Sequence, residues 1–177
     1  MKTVNSISGG KTSAYIAANY PADYNVFSLV RTDDKSCIYP DAKVRQIVSD
    51  KIGQEFIGTL EEDTIIKTML DLEQFIGSKI DWVSGKTFDE TITRNNGKIQ
   101  LPTPMRRFCT VKMKIEPIFN FWKNNINEIV ETRIGFRANE TRRANTMIER
   151  CKPTNGVMTY KTIVGKSKNG KRNKWAD

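Results

Sequence analysis

Apolar and polar positions alternate along this chain in a pattern that predicts strands and helices in turn. Short apolar blocks predict strands at 2–8, 25–31, 55–58, 80–83 and 128–136. Helical spacing of apolar residues predicts intervening helices at 13–19, 41–52, 59–76, about 87–94 and about 110–124. This alternation indicates an α/β fold: a Rossmann-like parallel β-sheet flanked by helices. Such sheets bind ligands at the C-terminal ends of their strands.

Several residues are typical of helix boundaries. Thr59 and Glu62 form a capping-box pattern ahead of one apolar run, and Gly77 is expected to end that helix. Pro117 should bend the helix near 110–124 or mark a late start. Past residue 150 the pattern weakens, although TYKTIVGK predicts one more strand. We therefore expect one α/β domain over 1–160 and a basic C-terminal tail over 161–177.

The segment Ser8-Gly9-Gly10-Lys11-Thr12-Ser13 lies between the first predicted strand and the first predicted helix. A strand that turns through glycines into a helix directs several backbone N–H groups and the positive end of the helix dipole at one point, which suits phosphate. The segment is not a Walker A loop, because Asn5 stands where that motif requires its first glycine. A plain strand-to-helix turn remains the alternative.

Composition excludes several kinds of chemistry. The 177 residues include no histidine, which rules out Ser-His-Asp and Cys-His catalysis and histidine-ligated metals. Cys37, Cys109 and Cys151 are an odd number at wide spacing, which argues against a disulfide framework and a zinc ribbon. No apolar run is long enough to span a membrane and no secretory signal is visible, so we expect a cytoplasmic protein.

Positive charge is concentrated at the C-terminal end. The formal net charge is +9, and the last 17 residues carry five Lys, one Arg and one Asp, which gives +5 there and +4 for the rest. A Lys-, Gly- and Asn-rich segment of this kind is typical of a solvated tail. The alternative is an arm that binds nucleic acid.

Three motifs together resemble one family. SGGKTS is similar to the phosphate loop of the adenine nucleotide alpha hydrolase superfamily (N-type ATP pyrophosphatases, or PP-loop proteins, with a HUP-type fold). MRRFCTVKMKIEP, at 105–117, resembles a segment of phosphoadenosine phosphosulfate (PAPS) reductase-like proteins in register with the family pattern RFCTxxxKIxP. IGFRANETRR, at 134–143, resembles that family's GxRAxExRR segment. The resemblance covers roughly residues 3–145.

The resemblance implies binding of ATP or a related adenine nucleotide and cleavage or transfer at its α-phosphate, with release of pyrophosphate and adenylation of an unknown acceptor. Mg²⁺ is expected to accompany the phosphates, and the metal ligands are unknown. The residues expected to bind the nucleotide are Ser8, Gly9, Gly10, Lys11, Thr12, Ser13, Thr32, Gly135 and Arg137.

A second set is expected to take part in catalysis. Arginine's planar fork suits phosphate or sulfate oxygens, and Cys109 beside Arg106 and Arg107 at a predicted helix start could be a nucleophile or sulfur carrier. A buried structural cysteine is the alternative for Cys109. The expected catalytic residues are Lys11, Arg107, Cys109, Lys114, Arg137 and Glu140.

The chain also departs from the family pattern. Thr12 stands where many relatives have Asp, and Arg31-Thr32-Asp33-Asp34 replaces a short Asn-Thr-Gly turn. There is no Glu-Cys-Gly segment and no paired cysteines, so we expect neither sulfonucleotide reduction by this chain alone nor an iron–sulfur cluster. Alternatives left open are sulfonucleotide (PAPS or APS) binding or reduction, a subunit of nucleic-acid sulfur modification, and a non-catalytic nucleotide sensor. The oligomeric state is open, a homo-oligomer included.

Overall fold

A four-stranded, all-parallel sheet forms the centre of the fold in this computed structural model, which describes residues 1–103, 106–126 and 128–158. The strand order is β3–β2–β1–β4. The strands are β1 (Lys2–Ile7), β2 (Tyr24–Leu29), β3 (Ile80–Ser84) and β4 (Val130–Ile134). β2 pairs with one side of β1, and β3 pairs with the outer side of β2. β4 pairs with the opposite side of β1. The C-terminal ends of β1 and β4 therefore lie at the topological switch point, where ligands bind in open α/β sheets.

Helices cover both faces of the sheet. α1 (Lys11–Asn19), α2 (Ala42–Ile52) and α3 (Asp63–Ile76) pack on one face. α4 (Phe88–Ile92) follows β3, and a continuous helical stretch then runs over α5 (Phe108–Thr110), a π-turn (Val111–Ile115) and α6 (Glu116–Asn125). We call residues 108–125 the bulged helix. Its α6 part packs on the opposite face through Ile118, Phe121 and Trp122.

Strand side chains alternate between these two faces. Ile7, Phe27 and Leu29 pack under α1–α3, whereas Val4 and Val26 face α6. Because both faces are covered, the central strand β2 is buried at every position from Asn25 to Leu29. The short apolar block that predicts this strand is a consequence of that double burial.

Most predicted elements are confirmed, with ends that differ by a few residues. The strands predicted at 2–8, 25–31, 80–83 and 128–136 are present, and the helices predicted at 13–19, 41–52, 87–94 and 110–124 correspond to α1, α2, α4 and the bulged helix. The structure therefore confirms an α/β fold with a parallel sheet flanked by helices.

Two local predictions are wrong. Residues 55–58 form no strand; Gly58 instead makes isolated antiparallel bridges to Thr32 and Ile38. The Thr59–Glu62 capping box does not form, because the Thr59 hydroxyl donates to the Val30 carbonyl at 2.8 Å and α3 begins only at Asp63. Gly77 does end α3, with φ of 61°.

The chain divides into two compact units, Met1–Gly135 and Phe136–Asp177. The described part of the second unit contains a 3₁₀ turn (Ala138–Glu140), α7 (Thr141–Cys151) and a second 3₁₀ turn (Lys152–Thr154). The apolar pattern of the sequence predicts no helix at the position of α7. The strand predicted within TYKTIVGK and the tail over 161–177 lie outside the described residues. None of the helices in the described part combines the length and hydrophobicity that a membrane crossing demands.

Candidate functional site

The Ser8–Ser13 segment, called the phosphate loop below, connects β1 to α1 at the C-terminal edge of the sheet. Gly9 has φ of 76°, a left-handed conformation that favours glycine, and Gly10 is extended at the N-cap of α1. The first N–H groups of α1 have no partner within the helix. In the described part of the chain no group accepts a hydrogen bond from the N–H groups of Gly9, Gly10, Lys11 or Thr12.

Ser13 holds the phosphate loop in this shape. Its side chain is buried, its hydroxyl donates to the Gly10 carbonyl at 2.9 Å, and it accepts from the Ser8 N–H at 3.2 Å. The Ser8 hydroxyl lies 3.4 Å away. The Ser13 hydroxyl is therefore engaged within the loop, and the Lys11 side chain, which is exposed, remains available to a ligand.

Gly135, the residue after β4, packs directly against the start of α1. A Cβ built at Gly135 would lie 3.0 Å from the Ser13 N atom and 3.1 Å from both the carbonyl carbon and Cγ2 of Thr12. Glycine at this position lets the end of β4 approach the first turn of α1. Residues from two of the three motifs thus meet at the switch point between β1 and β4.

The segment before α3 forms another wall of the site. A Cβ at Gly9 would lie 2.6 Å from Ile65 Cγ2, so α3 packs closely on the phosphate loop. Four residues earlier, Glu61 forms an ion pair with Lys114 of the bulged helix. This pair joins segments from opposite faces of the sheet across its C-terminal edge, and Lys114 is thereby placed on the same edge as the phosphate loop.

A π-turn sets the position of Lys114. The Glu116 N–H donates to the Val111 carbonyl, five residues earlier, and Pro117 follows in the first turn of α6. Proline has no N–H to give to the Met113 carbonyl four residues before it. The buried Ser28 hydroxyl of β2 donates to that carbonyl at 3.0 Å. The RFCTxxxKIxP segment is therefore a helix with one widened turn, anchored to the central strand.

Arg107 and Cys109 lie at the start of the bulged helix. Arg107 is exposed, and no described residue forms an ion pair or hydrogen bond with its side chain. Cys109 is half-buried as a free thiol. No hydrogen bond or ion pair among the described residues joins these two side chains to the phosphate loop, and their catalytic roles stay predictions.

The segment after β2 is fixed by hydrogen bonds to α4. Asp89 accepts from the Asp33 N–H and from the Thr32 hydroxyl, each at 2.8 Å. These two donors hold the pKa of Asp89 below its usual range, the Asp33 N–H contributing most. Asp33 in turn accepts from the buried Thr87 hydroxyl at 2.7 Å. Thr32 is only 1% exposed and its hydroxyl is engaged with Asp89, so the nucleotide contact expected of Thr32 stays a prediction.

Arg31 is a site-edge residue to which the sequence analysis assigned no role. Its guanidinium is buried and donates to the Ser84 hydroxyl at 2.6 Å, the Gln54 side chain at 2.6 Å, and the carbonyls of Glu55 and Gly85 at 3.0 and 3.1 Å. It therefore ties the ends of β2 and β3 to the segment after α2. An arginine directly after an apolar strand was the available sequence signal for this role. The same pattern is common at exposed strand ends, so it did not distinguish a buried arginine.

The second unit holds Arg137 and Glu140. Glu140 accepts from the Arg137 N–H at 3.0 Å and from the Arg143 side chain at 2.9 Å. Both donors, the Arg137 N–H first, lower the pKa of Glu140, which therefore carries a negative charge at neutral pH. Arg143 also lies over the Phe136 ring, 5.6 Å from its centroid. The Arg137 side chain is exposed, and the catalytic roles expected of Glu140 and Arg137 stay predictions.

Within the described ranges, no group of three or more Cys, Asp or Glu side chains could hold a cation. The carboxylates nearest the end of β2 are engaged otherwise: Asp33 with Thr87, and Asp34 with the N–H and hydroxyl of Ser36 at 2.8 Å each. The expectation that Mg²⁺ accompanies the bound phosphates stays a prediction.

The sequence matches no family model, and no curated protein or solved structure matches it either. The family resemblance stated above accordingly rests on its three motifs.

Proposed function

We propose that this chain binds an adenine nucleotide at the phosphate loop and cleaves or transfers at its α-phosphate, with pyrophosphate as leaving group. The observation that carries the proposal is the group of four backbone N–H donors, Gly9 to Thr12, that no described group of the chain satisfies. They lie at the N-terminus of α1 and at the switch point of the sheet, where both the helix dipole and the fold favour a phosphate.

The shape of the loop supports phosphate over a smaller anion. Gly9 and Gly10 carry no Cβ that would keep phosphate oxygens from the backbone, and Ser13 fixes the loop internally before any ligand arrives. Fixed donors that need no rearrangement stabilise developing charge more than mobile ones. The exposed Lys11 adds a movable positive charge at the same point.

The proposed reaction is nucleophilic displacement at the α-phosphorus. An oxygen, nitrogen or sulfur nucleophile of the acceptor forms the new bond to phosphorus, the bond from phosphorus to the bridging oxygen of the β-phosphate breaks, and pyrophosphate leaves with that electron pair. The nucleophile's proton passes to solvent. Water as acceptor gives AMP. The phosphate-loop amides and Lys11 stabilise the charge on the leaving pyrophosphate, and Mg²⁺ enters with the substrate.

The direct test uses α-labelled MgATP with the purified chain and candidate acceptors. Pyrophosphate together with AMP or an adenylated acceptor is the expected result. Release of ADP and orthophosphate contradicts the proposed bond cleavage. Nucleotide binding without any turnover contradicts the proposed reaction and favours a non-catalytic nucleotide sensor. An adenosine phosphosulfate that binds more tightly than ATP favours the sulfonucleotide alternative.

A substitution in the phosphate loop tests whether the nucleotide binds there. Lys11→Ala should weaken ATP binding by roughly 10- to 100-fold, because one charge-assisted hydrogen bond is lost. Lys11 is exposed and has no partner among the described residues, so the melting temperature without nucleotide should not change. Lys67→Ala, at an exposed position in α3, is the matched control and should leave binding as it is. The measurement is the nucleotide-dependent shift in melting temperature; an equal shift in both variants contradicts the assignment.

A further inference from the structure

Glu61 is held in place from the end of the central strand β2. The buried Thr59 hydroxyl donates to the Val30 carbonyl at 2.8 Å and accepts from the Glu61 N–H at 3.0 Å. One hydroxyl thus acts as both donor and acceptor and fixes the turn that precedes α3. The Glu61 backbone is therefore tied to the residue directly after β2, at the C-terminal edge of the sheet.

The Glu61 carboxylate is only partly satisfied in this position. Its Oε1 accepts from Lys114 Nζ, whereas its Oε2 is buried and has no hydrogen-bond partner in the described part of the chain. The whole side chain is only 20% exposed. A carboxylate that is largely removed from water needs a counter-charge. Among the described residues Lys114 supplies that charge, so the carboxylate and the ammonium group hold each other in place.

Lys114 keeps hydrogen-bond donors that are available to a ligand. An ammonium group has three N–H donors, and among the described residues Glu61 is the acceptor that Lys114 contacts. The Lys114 side chain is 37% exposed. The π-turn fixes the backbone from which this side chain projects, and the pair with Glu61 fixes its far end. A full positive charge with unused donors is therefore held at a defined point on the C-terminal edge of the sheet.

The segment that carries Glu61 also packs on the phosphate loop. Glu61 lies four residues before Ile65, whose Cγ2 would lie 2.6 Å from a Cβ built at Gly9. The Ile65 N–H donates to the Glu62 carbonyl at 2.9 Å, so the chain between Glu61 and Ile65 forms a compact turn. All of these residues belong to the first compact unit of the chain. The ion pair with Lys114 is therefore one turn of chain away from the residue that forms a wall of the phosphate loop.

We propose that Glu61 is a positioning residue, which holds Lys114 against phosphate oxygens of the nucleotide bound at the phosphate loop. The inference rests on the proposed function and adds a residue that acts through Lys114 without touching the ligand itself. Lysine carries a compact charge on a flexible four-carbon stem. Without Glu61 this stem loses its fixed end, and ordering it on the ligand then costs side-chain entropy at the moment of binding. The Thr59 hydroxyl supports Glu61 from below.

A purely structural ion pair is the alternative role for Glu61, and the two roles predict opposite effects on ATP binding. A negative charge near a phosphate site repels the ligand, so removal of a carboxylate with no other role there should strengthen ATP binding. If Glu61 positions Lys114, its removal should weaken ATP binding in spite of the lost repulsion. The sign of the change therefore distinguishes the two roles.

The test measures the affinity of full-length variants for MgATP by isothermal titration calorimetry. Glu61→Ala should weaken binding at least about threefold, and Lys114→Ala about tenfold or more, because the second variant removes the charge itself. The double variant Glu61→Ala/Lys114→Ala should bind no worse than Lys114→Ala alone, since a positioning residue has no effect once the positioned group is gone. Glu61→Gln keeps an acceptor for Lys114 and should retain most of the affinity.

Glu62→Ala is the matched control, because it removes the same charge from the next residue, whose exposed side chain makes no hydrogen bond or ion pair with a described residue. It should leave the affinity for MgATP unchanged or raise it slightly. Melting temperatures without nucleotide show which variants are damaged in folding. If Glu61→Ala is one of them, Glu61→Met takes its place, since methionine fills a similar volume without an acceptor for Lys114.

Unchanged or higher affinity in the variant that lacks the Glu61 carboxylate overturns the inference, and so does full additivity of the losses at Glu61 and Lys114. Lys11→Ala separates this inference from the proposed function. If Lys11→Ala weakens MgATP binding and Glu61→Ala does not, the positioning role is wrong and the phosphate loop remains the binding site. If the wild-type chain does not bind MgATP, both proposals are wrong.

Discussion

Gly58 is a residue whose role depends wholly on its surroundings. A Cβ built there would lie 1.8 Å from the Cys37 carbonyl oxygen, because the segments around Thr32, Ile38 and Gly58 are bridged backbone to backbone. Gly77 differs: it has φ of 61° but nothing within 4 Å of a built Cβ. Close approach explains the first glycine, and backbone conformation explains the second.

We predict that Gly58→Ala lowers the free energy of unfolding by at least about 3 kcal/mol, since a backbone carbonyl must move. Gly77→Ala, the matched control, should cost about 1–2 kcal/mol for its left-handed conformation alone. Urea unfolding of both variants measures the difference. Equal losses would contradict the close packing at Gly58.

Asp89 gives the fold a defined acid sensitivity. Its pKa is lowered in the folded state by the Asp33 N–H and the Thr32 hydroxyl, so its contribution to stability is fully present above the unfolded value of about 3.9 and is lost as the pH falls below it. Asp89→Asn should therefore be less stable at neutral pH by about 1 kcal/mol and should lose less stability between about pH 4 and pH 2.

The measurement for Asp89 is the free energy of unfolding across this pH range, with Asp71→Asn at an exposed position of α3 as control. The control should follow the wild-type profile. If Asp89→Asn also follows the wild-type profile at acid pH, the carboxylate does not carry this acid-sensitive part of the stability.

At the scale of elements, the bulged helix shows how one proline is accommodated. Pro117 deprives the Met113 carbonyl of its usual donor, the π-turn widens the helix just before it, and Ser28 of the central strand donates to that carbonyl at 3.0 Å. A Cβ on Gly85 would lie 2.5 Å from the neighbouring Lys112 carbonyl oxygen, so the end of β3 also approaches this turn closely. These contacts fix the turn that presents Lys114.

Ser28→Ala should cost about 1–3 kcal/mol, because a buried carbonyl loses its donor. In the Pro117→Ala background the new N–H of residue 117 can serve the Met113 carbonyl, so the same Ser28 substitution should cost less there, with a coupling of about 1 kcal/mol. A double-mutant cycle by chemical denaturation measures the coupling. Strict additivity would show that the hydroxyl does not replace the proline's missing donor.

At the scale of the whole molecule, the strand order decides where a ligand can bind. β2 and β3 lie on one side of β1, and β4 lies on the other side. This reversal leaves a crevice at the C-terminal ends of β1 and β4. Gly135 follows β4 directly and packs against Thr12 and Ser13. The wall of this crevice on the β4 side therefore depends on a residue without a side chain.

Gly135→Ala should therefore weaken ATP binding about tenfold or more, because its Cβ displaces the first turn of α1 and with it the N–H donors. Gly97→Ala, in an exposed turn with open space around a built Cβ, should affect stability without changing affinity. Isothermal titration calorimetry on both variants makes the comparison. Unchanged affinity in Gly135→Ala would place the nucleotide away from this edge.

Local patterns were sufficient to predict most elements and the glycine turn between β1 and α1. Apolar periodicity is set within a few residues, so β1, β2, α2 and α3 were visible in the sequence. α7 was missed because its polar surface is large, although Ala144, Met147, Ile148 and Cys151 do follow helical spacing. The segment 55–58 was misassigned because Phe56 is apolar for burial in the core, and the bridges at Gly58 are isolated ones that form no strand ladder.

The sequence by itself therefore determined the order of strands and helices, the glycine turn into α1 and the uneven distribution of charge. Only the tertiary structure decided that Gly135 lies against Thr12 and Ser13, that Ser28 serves the Met113 carbonyl, and that Arg31 is buried as a clamp among three segments. The physical reason is the sequence distance over which each kind of interaction acts. Backbone propensity and periodicity act over a few residues, whereas these contacts join positions from 23 to more than 100 residues apart, which the folding of the whole sheet brings together.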